Sequence, residues 1–150
     1  MPIPPRNQVN ARAMSFLIKN GEVVTAEGRS RVDVLCEGEV ITAIGPDLDA
    51  PTGVEVIDAE GHYVFPGFID PHVHIYLPFM GTFSKDDYDS GSRAALLGGT
   101  TTLIEMCCPS REEEPLEAFH LWKSKAEGVS ACDYSFHMGV TRFDERAEGQ

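Results

Sequence analysis

The feature that most constrains the fold is a change in apolar period after Gly61. Residues 15–64 contain short runs in which apolar and polar residues alternate. These runs are separated by turn signals such as Asn20-Gly21, which is typical of a hairpin, and Glu37-Gly38. After Gly61 the apolar runs are nearly continuous, and stretches with helical spacing follow them. The first pattern predicts a small antiparallel β unit with one face to bury, and the second predicts a parallel sheet.

The second pattern consists of repeated strand and helix units. Strands are predicted at residues 64–69, 100–107 and 132–140. Ser84 is the predicted N-cap of the first helix, which Gly98-Gly99 ends. The second helix is predicted from Pro115 to Gly128, and a third begins after Arg142. Four residues mark the predicted packed side of the second helix: Leu116, Phe119, Trp122 and Ala126.

Repeated βα units favour either an open doubly wound sheet or a closed (β/α)8 barrel. A barrel needs eight strands and usually about 250 residues. The barrel interpretation therefore predicts that this sequence of 150 residues is truncated after about three strands.

Composition excludes several classes of partner. The chain has 12 Lys and Arg against 24 Asp and Glu, a net charge of -12, which repels nucleic acids and anionic membranes. Residues 1–14 contain no long apolar run, so we predict a flexible tail without a signal peptide or anchor, and a cytoplasmic protein. The four cysteines form no C-x-x-C pair and are predicted to be reduced: Cys36, Cys107, Cys108 and Cys132.

The stretch Asp70-Pro71-His72-Val73-His74 follows the first apolar strand. Side chains alternate along a strand, so Asp70, His72 and His74 are predicted to share one face, with the two histidines attached about 7 Å apart. Two such imidazoles suit one divalent metal ion. An H-x-H pair alone is a weak signal, because two histidines near a strand end are often surface residues. Its position favours a site, because barrel enzymes build active sites at the carboxyl ends of their strands.

The residues around this pair carry a resemblance to a known family. Residues 65–74 are similar to the signature of the amidohydrolase superfamily, and residues 77–82 resemble the segment that follows it in dihydropyrimidinases and hydantoinases. Residues 94–102 and 132–137 also match, in one register from Phe16 to the end. The resemblance implies an α/β protein, a metal-dependent (β/α)8 TIM barrel whose first units occupy residues 65–150. Residues 15–64 would then form part of a small β-sandwich.

The resemblance also implies the site. His72 and His74 would bind metal in a centre of two divalent ions, preferably Zn²⁺. The bridging carboxylated lysine, two further histidines and the aspartate that acts as general base are expected beyond Gln150. Three residues after the pair are expected to line the substrate pocket: Tyr76, Leu77 and Phe79. Tyr76 departs from the family, which more often has a polar non-aromatic residue there, and it could instead be a surface tyrosine.

The implied reaction is the hydrolysis of a small cyclic amide, a dihydropyrimidine or a hydantoin, to an N-carbamoyl amino acid. The family is commonly a homotetramer, so a homo-oligomer is expected. Allantoinase and dihydroorotase are alternative enzymes, but dihydroorotase places an arginine soon after the second histidine, where this chain has Ile75, Tyr76 and Leu77. A non-catalytic scaffold, as in the collapsin response mediator proteins, is a further alternative that the retained His72 and His74 disfavour.

Other polar residues have simpler interpretations. Glu105 could hydrogen-bond a metal ligand without binding the metal itself, although a carboxylate near a strand end more often has only a structural hydrogen bond. Cys107-Cys108 could bind soft metals, but buried thiols are the usual state. Three further histidines are predicted to be structural: His62, His120 and His137.

Overall fold

The computed structural model of the chain describes residues 14–148, apart from the side chains of Phe79, Arg146 and Ala147. The predicted tail over residues 1–14 therefore lies outside the described residues, except for Met14. The chain divides after Pro66 into two compact units. Among residues 14–148, none of the helices has both the length and the apolar character needed to cross a bilayer.

The first unit contains two small sheets. Its strands are β1 (Ser15–Lys19), β2 (Glu22–Thr25), β3 (Gly28–Arg31), β4 (Asp33–Glu37), β5 (Val40–Gly45), β6 (Glu55–Asp58) and β7 (Tyr63–Val64). One sheet has the order β5-β4-β1-β6 and the other has the order β3-β2-β7. The predicted unit was antiparallel throughout, but β1 pairs with β6 and β2 pairs with β7 in parallel. Both sheets are therefore mixed.

The predicted hairpin at Asn20-Gly21 is wrong. The two flanking strands, β1 and β2, belong to different sheets, so the chain passes from one sheet to the other at this point. Asn20 has the positive φ of 64° that the turn signal suggested. Its N–H, however, donates to Asp33 Oδ1 at 3.1 Å. The predicted turn at Glu37-Gly38 is confirmed, because β4 and β5 pair antiparallel with Glu37 opposite Val40.

The second unit carries the helices. Its elements are β8 (Phe68–Val73), β9 (Pro78–Phe79), β10 (Thr82–Phe83), α1 (Tyr88–Leu97), β11 (Thr100–Cys107), α2 (Pro115–Ala126), β12 (Asp133–Met138) and α3 (Glu145–Glu148). The main sheet has the order β12-β11-β8, and both of its pairings are parallel. Strands β9 and β10 form a separate short hairpin. The parallel arrangement of successive strands is the one that the βα pattern predicts.

Two predicted boundaries in this unit are wrong. The first strand was expected from Val64, but it begins at Phe68, because Val64 pairs with β2 in the first unit. The first helix is capped by Asp87 and not by Ser84. The Asp87 carboxylate accepts the N–H of Ser90 at 2.8 Å, and Ser90 Oγ accepts the N–H of Asp87 at 3.2 Å, which forms a capping box. The helix ends at Gly98-Gly99, as predicted.

The core of the second unit lies between its helices and one face of the main sheet. Two clusters of buried residues form it, the first with Ile75, Tyr88, Leu103 and Ala126 and the second with Cys107, Ala118 and Trp122. Trp122 and Ala126 are buried as predicted, but Leu116 is 46% exposed. The buried side of α2 follows Ala118, Trp122 and Ala126, which are spaced by four residues, and Leu116 lies off this line.

The opposite face of the main sheet carries histidines. Val73 and Ile75 pack in the first cluster, and His72 and His74, which alternate with them, are exposed. Strand alternation therefore places the pair on the face that the helices leave open. By the same argument His137 lies on this face, because its neighbours in β12 pack against the clusters: Phe136 and Met138.

Candidate metal centre

His72 and His74 meet at the carboxyl end of β8. Their Nε2 atoms are 3.2 Å apart, and their rings are nearly perpendicular, at 78° with centroids 5.0 Å apart. A tetrahedral Zn²⁺ with Zn–N bonds of about 2.0–2.1 Å holds two nitrogen ligands about 3.3 Å apart. The observed separation therefore fits two ligands of one ion, provided that both imidazoles are neutral.

The pair alone does not complete a metal site. Within residues 14–148, no group of three or more His, Cys, Asp or Glu side chains is placed to hold an ion. Two imidazoles leave two positions of a tetrahedral ion for other groups. The geometry thus provides half of a ligand set.

Asp70 is not aligned with the histidines as predicted. Along β8 the register with β11 shifts, so that Asp70 is opposite Leu103 and Val73 is opposite Glu105. Three steps on β8 match two on β11, and the shift breaks the regular alternation that the prediction assumed. The Asp70 carboxylate instead accepts the N–H of His72 at 3.1 Å, so it holds the backbone of the first histidine.

Glu105 supports the segment after His74. It is fully buried at 0% exposure, and its Oε2 accepts the N–H of Ile75 at 2.8 Å. Burial raises the pKa of Glu105, although hydrogen bonds from the amides of Ile75 and Tyr76 oppose that rise. The pKa of the adjacent Tyr88 phenol is also raised, first by burial and then by the charge of Glu105. The prediction of a hydrogen-bonded carboxylate is confirmed, and its partner is the residue next to the histidine pair.

His137 reaches the same segment from the other side. Its Nε2 lies 3.0 Å from the carbonyl oxygen of Pro71. A carbonyl only accepts, so Nε2 carries the proton and donates it. Sequence reasoning treated His137 as structural and missed this contact. The available signal was its position near the carboxyl end of a neighbouring parallel strand, where its side chain faces the same open surface as His72.

The three residues predicted to line the substrate pocket differ from one another in what they contact. Tyr76 is half-buried, with its ring 5.3 Å from that of Trp122 and stacked 5.4 Å from that of Phe83, so it is not a surface tyrosine. The N–H of Leu77 donates to Ser84 Oγ at 3.1 Å. Ser84 Oγ also donates to the carbonyl oxygen of Ile75, so this residue braces the loop instead of capping α1. Phe79 lies in β9, and its side chain is outside the described part of the structure.

Comparison with known proteins finds relatives of the chain among D-hydantoinases and dihydropyrimidinases. The profile of the amidohydrolase family matches residues 55–124. The chain is 46% identical over 132 residues to a D-hydantoinase of Geobacillus stearothermophilus, covering 88% of this chain and 28% of that protein. It is 40% identical over 137 residues to the dihydropyrimidinase of Rattus norvegicus, covering 89% of this chain and 26% of that one.

The solved structures agree with the sequence matches. The D-hydantoinase from Thermus sp. superposes with a TM-score of 0.85 and 67% identity, over 89% of this chain and 29% of that chain. The chain is a homologue of the dihydropyrimidinases and D-hydantoinases. It spans a little more than a quarter of the length of these relatives, at their N-terminal end. The mixed α/β chain therefore matches the N-terminal part of the hydantoinase structures.

The remaining candidates of this hydantoinase homologue are not arranged for metal chemistry. All four cysteines are free, and burial raises the pKa of Cys107 to about 12. Burial also raises the pKa of Cys108, so both thiols stay protonated near neutral pH. Nδ1 of His62 is 2.9 Å from the carbonyl oxygen of Glu60 in the first unit, and His120 is exposed on α2 beside Phe119.

Proposed function

We propose that the chain forms the N-terminal part of a metal-dependent hydrolase that opens a dihydropyrimidine or hydantoin ring to an N-carbamoyl amino acid. The observation that carries this proposal is the 3.2 Å approach of His72 Nε2 and His74 Nε2 at the carboxyl end of a parallel strand. The 67% identity to the Thermus D-hydantoinase supports the same reaction class.

We propose that β8, β11 and β12 are the first three strands of a (β/α)8 barrel, and that residues 15–64 belong to a β-sandwich. Each strand lies beside the next one in the chain, as in a barrel. Among the described residues, α1 and α2 pack on one face of this sheet, and the other face carries His72, His74 and His137. A barrel has this division, because its inner surface near the carboxyl ends holds the active site.

The centre would hold two divalent ions, preferably Zn²⁺, with His72 and His74 binding one of them. When bound, the ions would lower the pKa of a water molecule and polarise the ring carbonyl. Within the chain, the histidines present two ring nitrogens 3.2 Å apart, and Asp70 holds the amide of His72. We assign the bridging carboxylated lysine, two further histidines and the aspartate general base to positions beyond Gln150, and no general base to the chain itself.

We propose that Leu77 and Phe79 shape the pocket for the ring substituent, with Tyr76 behind them. The packing of Tyr76 against Trp122 supports a bracing role, because the ring is held by α2. The segment from Ile75 to Leu77 contains no cation, which favours a neutral ring over an anionic one such as dihydroorotate. Allantoinase remains an alternative enzyme. By the same resemblance we propose a cytoplasmic homotetramer.

A chimera tests this proposal. Residues 14–148 replace the matching segment of the Thermus D-hydantoinase, and hydantoin hydrolysis and metal content are measured. We expect an active enzyme with two ions per subunit. His72→Ala or His74→Ala should remove about one ion and lower kcat by at least about 100-fold, because an open catalytic site depends on each protein ligand.

His120→Ala is the matched control, because His120 is an exposed histidine on α2, and it should change neither property. A folded chimera without metal or activity would favour the scaffold alternative. The metal assignment fails if His72→Ala keeps both ions and full activity.

A further inference from the structure

We propose that Glu105 and His137 are positioning residues that hold the backbone on both sides of the His72 and His74 pair before a metal ion binds. We call these two residues the anchoring pair. The inference rests on the proposed function, because it assigns the anchoring pair to the same centre. It adds Glu105 from β11 and His137 from β12 to a centre whose predicted ligands lie at the end of β8.

The Glu105 anchor lies immediately after His74. Strand β8 ends at Val73, so the amide of Ile75 lies beyond the regular strand. Glu105 Oε2 accepts this N–H at 2.8 Å, and the carboxyl group is fully buried. Without that acceptor a buried N–H would lack a partner, which is unfavourable. The contact therefore determines where the chain goes after the second histidine.

The surroundings of Glu105 make this anchor rigid. Ile75 and Tyr88 are buried in the first cluster, and both face the carboxyl group. A side chain enclosed in this way cannot turn toward solvent without breaking the packing.

The His137 anchor lies before His72. Between Asp70 and Val73 the register of β8 against β11 shifts, and Pro71 and His72 fall inside this shift. The side chain of His137 reaches from β12 over β11 and donates to the carbonyl oxygen of Pro71 at 3.0 Å. A side-chain hydrogen bond thus supports the backbone where the strand pairing is irregular.

The two anchors act on the geometry of the imidazoles. The Nε2 atoms are already 3.2 Å apart, close to the spacing that one ion requires. Ordering each side chain only when the ion binds would weaken metal binding. Groups that orient metal ligands typically change metal affinity by about 10–100-fold when they are removed. We expect the anchoring pair to act in this range.

The test uses the chimera with the Thermus D-hydantoinase and measures its Zn²⁺ affinity in competition with a chromophoric chelator. Glu105→Leu and His137→Leu remove the hydrogen bonds and keep much of the volume. We expect each variant to weaken Zn²⁺ binding about 10-fold or more. Glu105→Gln keeps an acceptor oxygen and His137→Gln keeps an N–H donor of similar reach, so both should bind Zn²⁺ within about 3-fold of the parent chain. The matched controls are Glu39→Leu and His120→Leu, two exposed positions that should have no effect.

Amide exchange of Ile75 and circular dichroism complete the test. Exchange of Ile75 should accelerate in Glu105→Leu and stay slow in Glu105→Gln, with the near-ultraviolet circular dichroism of the chimera unchanged. The inference is overturned if the leucine variants bind Zn²⁺ as tightly as the parent, if the glutamine variants are as weak as the leucine variants, or if affinity falls only together with the near-ultraviolet signal. A parent that binds no better than His72→Ala would instead refute the metal centre of the proposed function. In that outcome the exchange of Ile75 still decides whether Glu105 anchors the segment.

Discussion

Among the described residues, each of the two units buries one carboxylate, and the two carboxylates have opposite electrostatic settings. In the first unit Asp33 is 4% exposed and accepts the N–H groups of Asn20 and Leu48, with Lys19 Nζ 3.4 Å away. Burial opposes ionisation of Asp33, but these hydrogen bonds and Lys19 outweigh it and lower its pKa. In the second unit Glu105 has no cation partner among its described contacts, and burial raises its pKa. The direction of the pKa shift of a buried carboxylate therefore depends on whether its hydrogen bonds and a nearby cation outweigh the effect of burial.

The units also differ in how they make a core. The second unit buries large side chains, such as Trp122 and Tyr88, between helices and sheet. The buried apolar side chains of the first unit within residues 14–148 are Leu17, Val34 and Ala59. Several apolar residues on β5 and β6 are exposed: Val40, Ile41, Ile44, Val56 and Ile57. The expectation that further strands complete this part of a β-sandwich stays a prediction.

The largest expected effect comes from truncating the centre of each core. In the chimera, Trp122→Ala should destabilise the second unit by about 3–5 kcal/mol, and Leu17→Ala should destabilise the first by about 2–5 kcal/mol. Amide exchange followed by mass spectrometry should show faster exchange in the mutated unit and little change in the other. Equal acceleration of exchange in both units after either substitution would show that they unfold together. It would contradict the view that each unit has its own core.

A change of pH should affect the two carboxylates in opposite directions. The folded pKa of Asp33 is below its unfolded value, so its stabilisation is present above about pH 4 and is lost as pH falls through the folded pKa. The folded pKa of Glu105 is above its unfolded value. The neutral acid is therefore favoured in the fold, and the second unit gains stability as pH falls through that raised pKa toward about pH 4.3.

The measurement is exchange protection of each unit in the chimera at several pH values, after correction for the intrinsic exchange rate. Glu105→Gln should remove the pH dependence in the second unit only. Asp33→Asn should flatten the acid loss in the first unit, and it should cost about 1–3 kcal/mol near neutral pH because buried N–H groups lose their charged acceptor. Parallel pH profiles for the two units would contradict the comparison.

The smallest expected effect concerns the start of α1. Asp87→Ala should remove the capping box and destabilise the helix by about 0.5–2 kcal/mol, which thermal unfolding of the chimera can measure. Ser84→Ala is the matched comparison variant, because Ser84 hydrogen-bonds Ile75 and Leu77 and does not cap the helix. We expect it to accelerate amide exchange at residues 75–77 and to leave α1 protected. Faster amide exchange in α1 of Ser84→Ala would instead show that Ser84 caps the helix, as the sequence predicted.

Local signals in the sequence determined much of the second unit. The apolar runs predicted parallel strands, Pro115 marked the start of α2, and Gly98-Gly99 marked the end of α1. These signals are reliable because each acts through its own backbone geometry within one turn or one strand. The approach of His72 and His74 could be predicted because residues two positions apart at the end of a strand lie on the same side.

Only the tertiary structure decided which segments pair and which side chains reach the histidines. Asn20 kept its local preference for a positive φ, but long-range pairing of β1 with β4 and β6 turned the expected hairpin into a passage between sheets. Glu105 and His137 contact residues 30 and 66 positions away in the chain, distances over which no sequence period operates. A hydrogen bond of this kind depends on strand order and register, which the packing of the whole sheet sets.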